Sequence, residues 1–460
     1  MNSDRVKKIT LGLSVILAMI LFYCLYLINL KIENTDNNRE VKKVEAVSST
    51  SLENKVLKEN KNIYNRYNPD EFMGLYISVF STEDKDGEVY DFSDFDLIAD
   101  WNKGFNPVLN ANVQFSSRGK QFKGKPLNIP NASIRVRGNP GASLKSYRIK
   151  LMDGTEGFNG QSTYNINKNM NDPSRIANKL AHDLIINLKH ISGFRTSFFE
   201  LYIKDNSLIN SETDFNSYGL YTHIEQPNKS YLKSRGLDEN GSIYRAEDFY
   251  FQLAQQLKNV DDPDYDEQSF ETVLAIREGN DHTKLINMLK DINDESKDFE
   301  EAFHKYFNED NYLTWLSINI LLGNADAMSG GFLLYNPSDS YVFYLLPWDF
   351  DGIFQWMQEE GDEPNIYDSL NNVALHRRYL QQDKNIEKLK ERMEDIKNKE
   401  FTPSKVKSLI KLYKPVLLEM MDQYPDNVLL SMPLNEQIAY LGQIDEKIIM
   451  NYNEFIKQYD

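Results

Sequence analysis

The feature that most constrains the fold is an apolar segment, Tyr312–Leu322, in the second half of the chain. It is apolar on nearly every side of a helix, and a helix of that kind is a buried one. Asn308 or Asp310 can cap its N-terminus, and Gly323 with Asn324 supplies the residues that end helices in the left-handed conformation. The sequence therefore predicts a buried helix that the neighbouring elements surround.

Two short β-type runs follow this helix, Phe332–Tyr335 and Tyr341–Leu346, with a polar, proline-containing turn between them. They predict a hairpin in which Tyr335 lies roughly opposite the first residue of the second run. In that register the residue facing Asp326 is close to Phe350. The hairpin is thus expected to bring Asp326 to the acidic end of the second run.

Acidic residues flank Phe350 on both sides. Asp349 and Asp351 are two residues apart, so in an extended chain their side chains leave the same face. With Asp326 they form a predicted set of three carboxylates, which repel one another unless a proton or cation intervenes. Oxygen ligands without His or Cys suit Mg²⁺ or Mn²⁺. The alternative is that acidic residues simply bracket two strands, but their clustering favours a metal site.

A second constraint is the segment Ile9–Leu30, which has 22 residues without a charge and would be roughly 33 Å long as a helix. That length is enough to cross a bilayer. Arg5, Lys7 and Lys8 precede it, which favours a cytoplasmic N-terminus and an extracytoplasmic body. A cleaved signal peptide is the alternative, although its apolar region is shorter, about 7–15 residues. We therefore expect a single-pass membrane protein.

Composition limits the partners and the domain plan. The net charge of −17 makes the chain a poor general binder of nucleic acid or anionic lipid, whereas a locally basic protein is compatible with it. The single cysteine, Cys24, lies in the predicted anchor, so the remainder contains no disulfide. We expect a flexible polar stalk over residues 31–62, a domain over 63–380 that is rich in strands up to residue 130, and a helical region over 381–460 that packs on the same domain. The acidic stretch 260–300 is predicted to be mostly helical and solvated.

A second informative pattern lies between Ser133 and Leu151, where basic and apolar residues alternate on both sides of a glycine-containing turn. Alternation places Ile134 and Val136 in a core and the basic residues on the opposite strand face. The cations of this predicted hairpin are Arg135, Arg137, Lys145, Arg148 and Lys150. Together with backbone amides of the turn they could hold phosphate. The alternative is a solvated basic strand face.

The order of these segments resembles the CotH kinase family, the atypical protein kinases similar to spore coat protein H. The resemblance runs from about residue 106 to residue 354. The segments that carry it are IRVRGN (Ile134–Asn139), KSYRIKL (Lys145–Leu151), DPSRIANKLAHDL (Asp172–Leu184), YGLYTHIEQPNKSYL (Tyr218–Leu232), LLGNAD (Leu321–Asp326) and LPWDFD (Leu346–Asp351). Six segments in the expected order are a specific signal.

The resemblance implies an α+β, two-lobed kinase-like fold with a β-rich N-terminal region, a mixed catalytic lobe and a helical C-terminal region, here preceded by one transmembrane helix. It also implies ATP, Mg²⁺ or Mn²⁺, and phosphoryl transfer to Ser or Thr of a protein substrate. In that chemistry the protein mostly positions groups and neutralises charge. Neither the oligomeric state nor the identity of the substrate follows from the resemblance.

Carried onto this sequence, the resemblance implies that Asp326 orients or deprotonates the acceptor hydroxyl and that Lys145 contacts phosphate. Asp349, helped by Asp351, is expected to hold the metal. The remaining nucleotide- or phosphate-binding candidates are Arg135, Arg137, Arg148 and Glu225, the last at the end of a strand where the family's adenine-binding connection lies.

One position departs from the family pattern. Family members usually carry an Asn five residues after the loop Asp, and here Gly331 stands in its place, so one oxygen ligand is missing. This departure, and the scarcity of ATP outside cells, favours a second hypothesis: a kinase-fold protein without turnover that acts as a binding or assembly module. A third is another metal-dependent transfer or hydrolysis on the same carboxylates. The sequence shows no convincing Ser/His/Asp set, zinc-ligand spacing or Walker loop. His182 and His223 are interpreted as structural.

Overall fold

Seven strands of the first half of the chain close into a barrel, and a pair of short strands, Thr82–Glu83 (β2) and Val89–Tyr90 (β3), lies beside it. The structure, a computed structural model, describes residues 56–98, 104–117, 128–138, 142–170, 172–207, 214–354 and 366–459. The barrel strands are β1 (Phe72–Phe80), β4 (Leu109–Ser117), β5 (Ala132–Arg137), β6 (Ser146–Leu151), β7 (Thr163–Asn167), β8 (Thr196–Asp205) and β9 (Asn216–Glu225). Their order round the barrel is β1, β4, β5, β6, β7, β9 and β8, and the parallel pairing of β1 with β8 closes it.

The barrel is filled by side chains from alternate positions of its strands. In β5, Ala132, Ile134 and Val136 point into the core, whereas Arg135 and Arg137 lie on the outer face. This confirms the alternation predicted for this strand, which follows from the period of two in β structure. The basic residues of the β5–β6 hairpin are therefore placed outside the barrel by the same pattern that buries its apolar residues.

The second half of the chain forms a four-stranded sheet and most of the helices. Its strands, in the order β11, β10, β12 and β13, are β10 (Ser242–Ala246), β11 (Leu274–Glu278), β12 (Leu333–Asn336) and β13 (Tyr344–Leu346). The helices are α1 (Ala177–Ile185), α2 (Lys229–Ser234), α3 (Glu267–Glu271), α4 (Thr283–Asn293), α5 (Phe299–Tyr306), α6 (Glu309–Leu322), α7 (Ile366–Asn372), α8 (Ala374–Leu380), α9 (Asp383–Lys399), α10 (Pro403–Met421), α11 (Leu434–Leu441) and α12 (Ile444–Tyr459). The fold is thus of mixed α+β class, as expected.

The stretch 260–300 is not the solvated insertion that its acidity suggests. It contains the strand β11, and α4 within it buries Leu285, Met288 and Leu289 in the main core. Acidic residues occupy the other faces of these elements, so composition alone hides their apolar side. The prediction of a mostly helical, solvated segment is wrong in both respects.

Helix α6 is the buried helix that the sequence predicts. Every residue from Asn311 to Leu322 is buried, and the side chain of Asn308 caps the N-terminus by accepting a hydrogen bond from the Asn311 amide at 2.9 Å. The helix ends at Gly323, which adopts the left-handed conformation with φ of 69°. Both ends therefore follow the capping residues expected from the sequence.

The β12–β13 hairpin forms, but in another register. Tyr335 pairs with Tyr344 rather than lying opposite Tyr341, because the connection is longer than expected. The side chain of Asn336 donates hydrogen bonds to the carbonyl groups of Ser340 and Val342, which holds residues 336–342 as a loop. The predicted pairing is therefore wrong by three residues.

The N-terminal expectations need correction. Within the described ranges no helix is long and apolar enough to cross a membrane, so the expected single-pass membrane localisation is not supported. The predicted anchor itself lies outside those ranges. Most of the predicted stalk also lies outside them. Its last residues belong to the compact unit Lys55–Asp460, because Leu57 is buried and the carboxylate of Glu59 lies 3.2 Å from the buried guanidinium of Arg235.

A buried histidine in the barrel core, His223, makes the free energy of unfolding depend on pH. His223 of β9 is fully buried between Tyr164 and Phe199, and neither of its ring nitrogens has a hydrogen-bond partner among the described residues. Burial lowers the pKa of His223 to about 3. Below pH ~6.5 the unfolded histidine therefore takes up a proton that the folded one cannot, and the free energy of unfolding falls as the pH falls.

We predict that His223→Leu is close to neutral at pH 7.5 and stabilises the protein by about 2 kcal/mol at pH 5, where the wild type loses that much to the protonation mismatch. Urea unfolding at the two pH values measures the difference. His304→Gln, at a side chain one-third exposed, is the control for replacing a histidine outside the barrel core. Equal effects of His223→Leu at both pH values would contradict the prediction.

Candidate functional site

A cavity of about 330 Å³ opens where the barrel meets the β10–β13 sheet. Its walls come from the turn between β5 and β6, the end of β7 and the segment that follows β13. The lining residues are Arg137, Gly138, Ala142, Ser143, Leu144, Ser146, Asn167, Lys168, Asn169, Met170, Asp172, Asn178, Ile224, Arg245, Trp348, Asp349 and Asp351. Its volume lies in the range of small-ligand sites.

Helix α1 fixes the backbone of the segment that carries the two acidic residues. Asn178 accepts a hydrogen bond from the Phe350 amide at 2.9 Å, and His182 Nε2 lies 3.0 Å from the Trp348 carbonyl oxygen. Burial lowers the pKa of His182 to about 4. The ring is therefore neutral at pH 7 and its Nε2–H donates to Trp348, which agrees with the structural role predicted for this histidine.

The end of α6 fixes the same segment from the other side. Asn324 donates a hydrogen bond to the Asp349 carbonyl at 2.8 Å, and the Asp349 amide donates to the Gly331 carbonyl at 2.9 Å. Asp326 stands in the short 3₁₀ turn Asp326–Met328 just after α6, and its side chain is exposed. The backbone contact with Asp349 is thus made by Gly331, and Asp326 is not part of an extended strand.

The carboxylates of Asp349 and Asp351 form a close pair that opens to the cavity. They are hydrogen-bonded to each other, and the charge of Asp349, followed by burial, raises the pKa of Asp351 to about 7. Asp172 and Asp326 contribute smaller repulsions in the same direction. Two like charges held this close are stabilised by a shared proton or by a cation.

The predicted set of three carboxylates is reduced to this pair. Within the ranges that the structure describes, no three His, Cys, Asp or Glu side chains form a group that could hold a metal ion. Asp326 lies near enough to raise the pKa of Asp351 but does not join the pair. The reason is local: the 3₁₀ turn and the two glycines after it fold the chain back before it can run alongside Asp349.

Arg137 is the cation that faces the acidic pair. Its guanidinium donates a hydrogen bond to the side-chain oxygen of Asn167 at the end of β7. Burial lowers the pKa of Arg137 to about 10, while the charge of Asp349 opposes this shift. The group therefore stays charged at neutral pH and presents a forked donor to the cavity, a geometry that suits phosphate.

The other predicted basic residues lie elsewhere. Lys145 is buried, does not line the cavity, and its Nζ lies 3.5 Å from the Ile98 carbonyl oxygen. Arg135 and Arg148 pair directly across β5 and β6 and also stand outside the cavity wall. For Lys145, this follows from its position next to Ser146, which faces the cavity. Arg135 and Arg148 share the strand faces of Arg137 and Ser146 but lie one pair farther along the hairpin.

Glu225 is occupied by structural ion pairs. It bonds the guanidinium groups of Arg195 and Arg235, both at 2.6 Å. Burial alone would raise its pKa, but these two arginines outweigh burial and hold the pKa of Glu225 at about 2. Its neighbour Ile224 lines the cavity instead. The end of β9, which was predicted to bind the nucleotide through Glu225, thus lines the cavity with Ile224.

Several wall residues were missed by the sequence interpretation. Lys168 and Asp172 come from the connection between β7 and α1 and Arg245 comes from β10, and the sequence interpretation used no motif that links the three. Asp172 also caps the turn before α1 by accepting hydrogen bonds from the Ser174 and Ala177 amides, both at 2.8 Å. For Asp172, the only sequence signal of a role in the site was its position in DPSRIAN, one of the segments that carry the family resemblance.

Lys168 differs from a free phosphate-binding lysine. It forms a buried salt bridge of 2.8 Å with Asp426 and donates a hydrogen bond to the Tyr218 carbonyl at 2.6 Å. Burial lowers the pKa of Lys168 to about 8, against the opposing charge of Asp426. Its side chain thus joins the C-terminal region to the barrel at the back of the cavity.

The comparison with known proteins agrees with this arrangement. A family model described as CotH kinase protein matches residues 134–428, which is more than half of the chain. The chain belongs to the CotH kinase protein family. The match covers the β5–β6 hairpin, α1, α6 and the acidic pair, so the cavity lies within the part that defines the family.

Two individual proteins are similar to this member of the CotH kinase protein family. The inner spore coat protein H of Bacillus subtilis (strain 168) is 27% identical over 209 residues, which are 45% of this chain and 54% of that protein. The chain thus spans about half the length of this relative. The crystal structure of the Helicobacter pylori proinflammatory kinase CtkA aligns with 68% of this chain and 94% of that one, at 12% identity and a TM-score of 0.30.

The placement of the cations leads to a prediction. Arg137→Met is expected to weaken the binding of a fluorescent ATP analogue by about tenfold or more, because a charge-assisted contact to phosphate is lost. Lys145→Met is expected to change the dissociation constant by less than about threefold. A fluorescence titration in the presence of Mn²⁺ measures both. A larger loss of affinity in Lys145→Met than in Arg137→Met would contradict the prediction and indicate that Lys145 contacts the phosphate.

Proposed function

We propose that this member of the CotH kinase protein family is a protein kinase that transfers the terminal phosphoryl group of ATP to Ser or Thr of a protein with the help of Mg²⁺ or Mn²⁺. The observation that carries the proposal is the pair Asp349–Asp351, which faces Arg137 across a cavity of small-ligand size and has Asp326 exposed beside it. The family membership supports the reaction class, and these residues are the site that we propose for it.

The residues present fit ATP with a divalent cation. A carboxylate pair in which one group has its pKa raised to about 7 by its neighbour gains most from a cation. Mg²⁺ in nucleotide sites commonly takes one or two carboxylates, with phosphate oxygens and waters as its other ligands. Two carboxylates are therefore enough, even though a third does not join them.

Each residue has one role in the proposed reaction. Asp349 and Asp351 would hold the cation, which would neutralise phosphate charge, and ATP would supply the phosphoryl group and leave as ADP. Arg137 binds phosphate oxygens with its fork. Asp326, which is exposed, accepts the proton of the acceptor hydroxyl or orients that hydroxyl. The backbone contacts from Asn178, His182 and Asn324 keep the acidic pair in place, so the site needs little reorganisation.

A second function, a nucleotide-binding or assembly module without turnover, is favoured by Gly331. This residue has φ of 61°, and a Cβ atom added there would lie 3.1 Å from the Asp349 Cβ. An Asn at this position, as is usual in the family, would therefore place its amide beside the acidic pair. Its absence removes one oxygen ligand from the proposed cation site.

We predict that the full chain incorporates label from radioactive ATP into itself or a protein acceptor with Mg²⁺ or Mn²⁺. Asp349→Asn and Asp326→Asn should each reduce the rate by about 100-fold or more, because one removes a cation ligand and the other the proton acceptor. Asp339→Asn, in the exposed turn of the same hairpin, is the matched control. If ATP with either cation neither binds nor raises the melting temperature, the proposal fails.

We also predict that Gly331→Asn raises the rate of transfer about tenfold, through an added amide ligand. Gly331→Ala is the matched control, since it adds the same Cβ contact without an oxygen. Asn tolerates positive φ better than Ala, so the control is also expected to be less stable. Rates measured over a range of Mn²⁺ concentration should show a lower half-saturation for the Asn variant alone. A folded Gly331→Asn variant without any gain would mean that the missing ligand does not limit the reaction.

A further inference from the structure

Arginines of two different sheets come together beside the cavity. Arg135 and Arg137 of β5 and Arg148 of β6 lie on the outer face of the barrel, and Arg245 of β10 with Arg277 of β11 lies on the adjoining sheet. Their charges act on one another: Arg245, Arg277 and Arg148 all contribute to lowering the pKa of Arg137, after burial. All five side chains are half-buried.

The positive charge of this group is poorly compensated. Glu247 forms ion pairs with Arg245 and, at 3.7 Å, with Arg277, so one carboxylate serves two guanidinium groups. Within the described ranges no carboxylate forms an ion pair with Arg135 or Arg148, although these two residues lie directly opposite each other across the strands. Like charges in that position destabilise a sheet. In a chain with a net charge of −17, such a concentration of poorly compensated arginines points to an anionic ligand.

The group divides into two parts by position. Arg137 and Arg245 line the cavity and belong to the proposed nucleotide site, whereas Arg135, Arg148 and Arg277 do not line it. We call these last three the arginine strip. Arg135 is two residues from Arg137 along β5, roughly 7 Å. The strip therefore continues the positive charge away from the cavity.

The loop of Asp326 is linked to the strip through Arg245, whose charge acts on Arg277. The loop that starts at Asp326 runs beside the end of β10, because the Gly331 amide donates to the Ala246 carbonyl at 3.0 Å and the Phe249 amide to the Ser329 carbonyl at 2.7 Å. Ala246 lies between Arg245 and Glu247. The loop that carries Asp326 thus lies beside the sheet that carries Arg245 and Arg277.

We propose that the arginine strip binds acidic side chains next to the acceptor Ser or Thr, so that the substrate of this site is an acidic polypeptide segment. This rests on the function proposed above and reverses the expectation of a basic partner drawn from net charge. Arginine forks bind carboxylates in pairs of hydrogen bonds. Half-buried guanidinium groups between two sheets suit one extended chain better than a duplex or a membrane surface, which need an exposed patch.

The test compares two peptides of equal length with one serine, flanked by Glu in one and by Gln in the other. The full chain is expected to show a kcat/KM at least about tenfold higher for the Glu peptide. In Arg135→Gln/Arg148→Gln this preference should fall to about twofold or less. Lys411→Gln/Lys414→Gln, exposed on α10, makes the same change in net charge and should keep the preference. A preference that survives in the arginine variant would overturn the proposal.

A second measurement separates failure of the strip from failure of the kinase proposal. Binding of the labelled Glu and Gln peptides to the full chain, followed by fluorescence anisotropy, requires no turnover. Tighter binding of the Glu peptide that is lost in the arginine variant supports the strip even if no phosphate is transferred. Equal binding of both peptides, a single-stranded oligonucleotide that competes as well as the Glu peptide, or an arginine variant impaired only in binding ATP would each overturn it.

Discussion

The site depends on a helix, α6, whose residues from Asn311 to Leu322 are all buried. Polar side chains in this buried part can find partners only inside the molecule, and two of its asparagines find them in elements of the site. Asn311 exchanges hydrogen bonds with the backbone of Leu345 in β13, at 2.8 and 3.1 Å, and Asn319 bonds Asn324, which in turn holds the Asp349 carbonyl. The polar atoms that burial would otherwise leave unsatisfied thus fix the hairpin and the acidic pair.

Electrostatics sets the second feature of the site. Asp349 and Asp351 repel each other, Arg137 is desolvated, and arginines face arginines across two sheets. Each of these arrangements is unfavourable by itself, and natural proteins tend to keep such conflicts where function requires them. A cation on the acidic pair and phosphate on Arg137 would relieve the first two. The acidic substrate inferred above would relieve the third.

Local patterns predicted local structure well. The capping residue Asn308, the helix end at Gly323 and the in-out alternation around Arg135 all follow from properties of a few neighbouring residues. Features set by distant partners could not be predicted in this way. The hairpin register depends on a loop held by Asn336, and the choice between Arg137 and Lys145 depends on which strand face meets the second sheet. The strand β11 was missed because its acidic surroundings mask a short apolar run.

The closure of the barrel has a consequence for how the family region is delimited. The family match begins at residue 134, inside β5, yet β1 and β4 precede it and complete the ring between β5 and β8. A fragment cut at the limits of the match would expose two unpaired strand edges and open one side of the core, a condition that invites aggregation. The region matched by the family model is therefore shorter than the unit that closes the barrel. The boundaries of an expressed fragment should include all seven barrel strands.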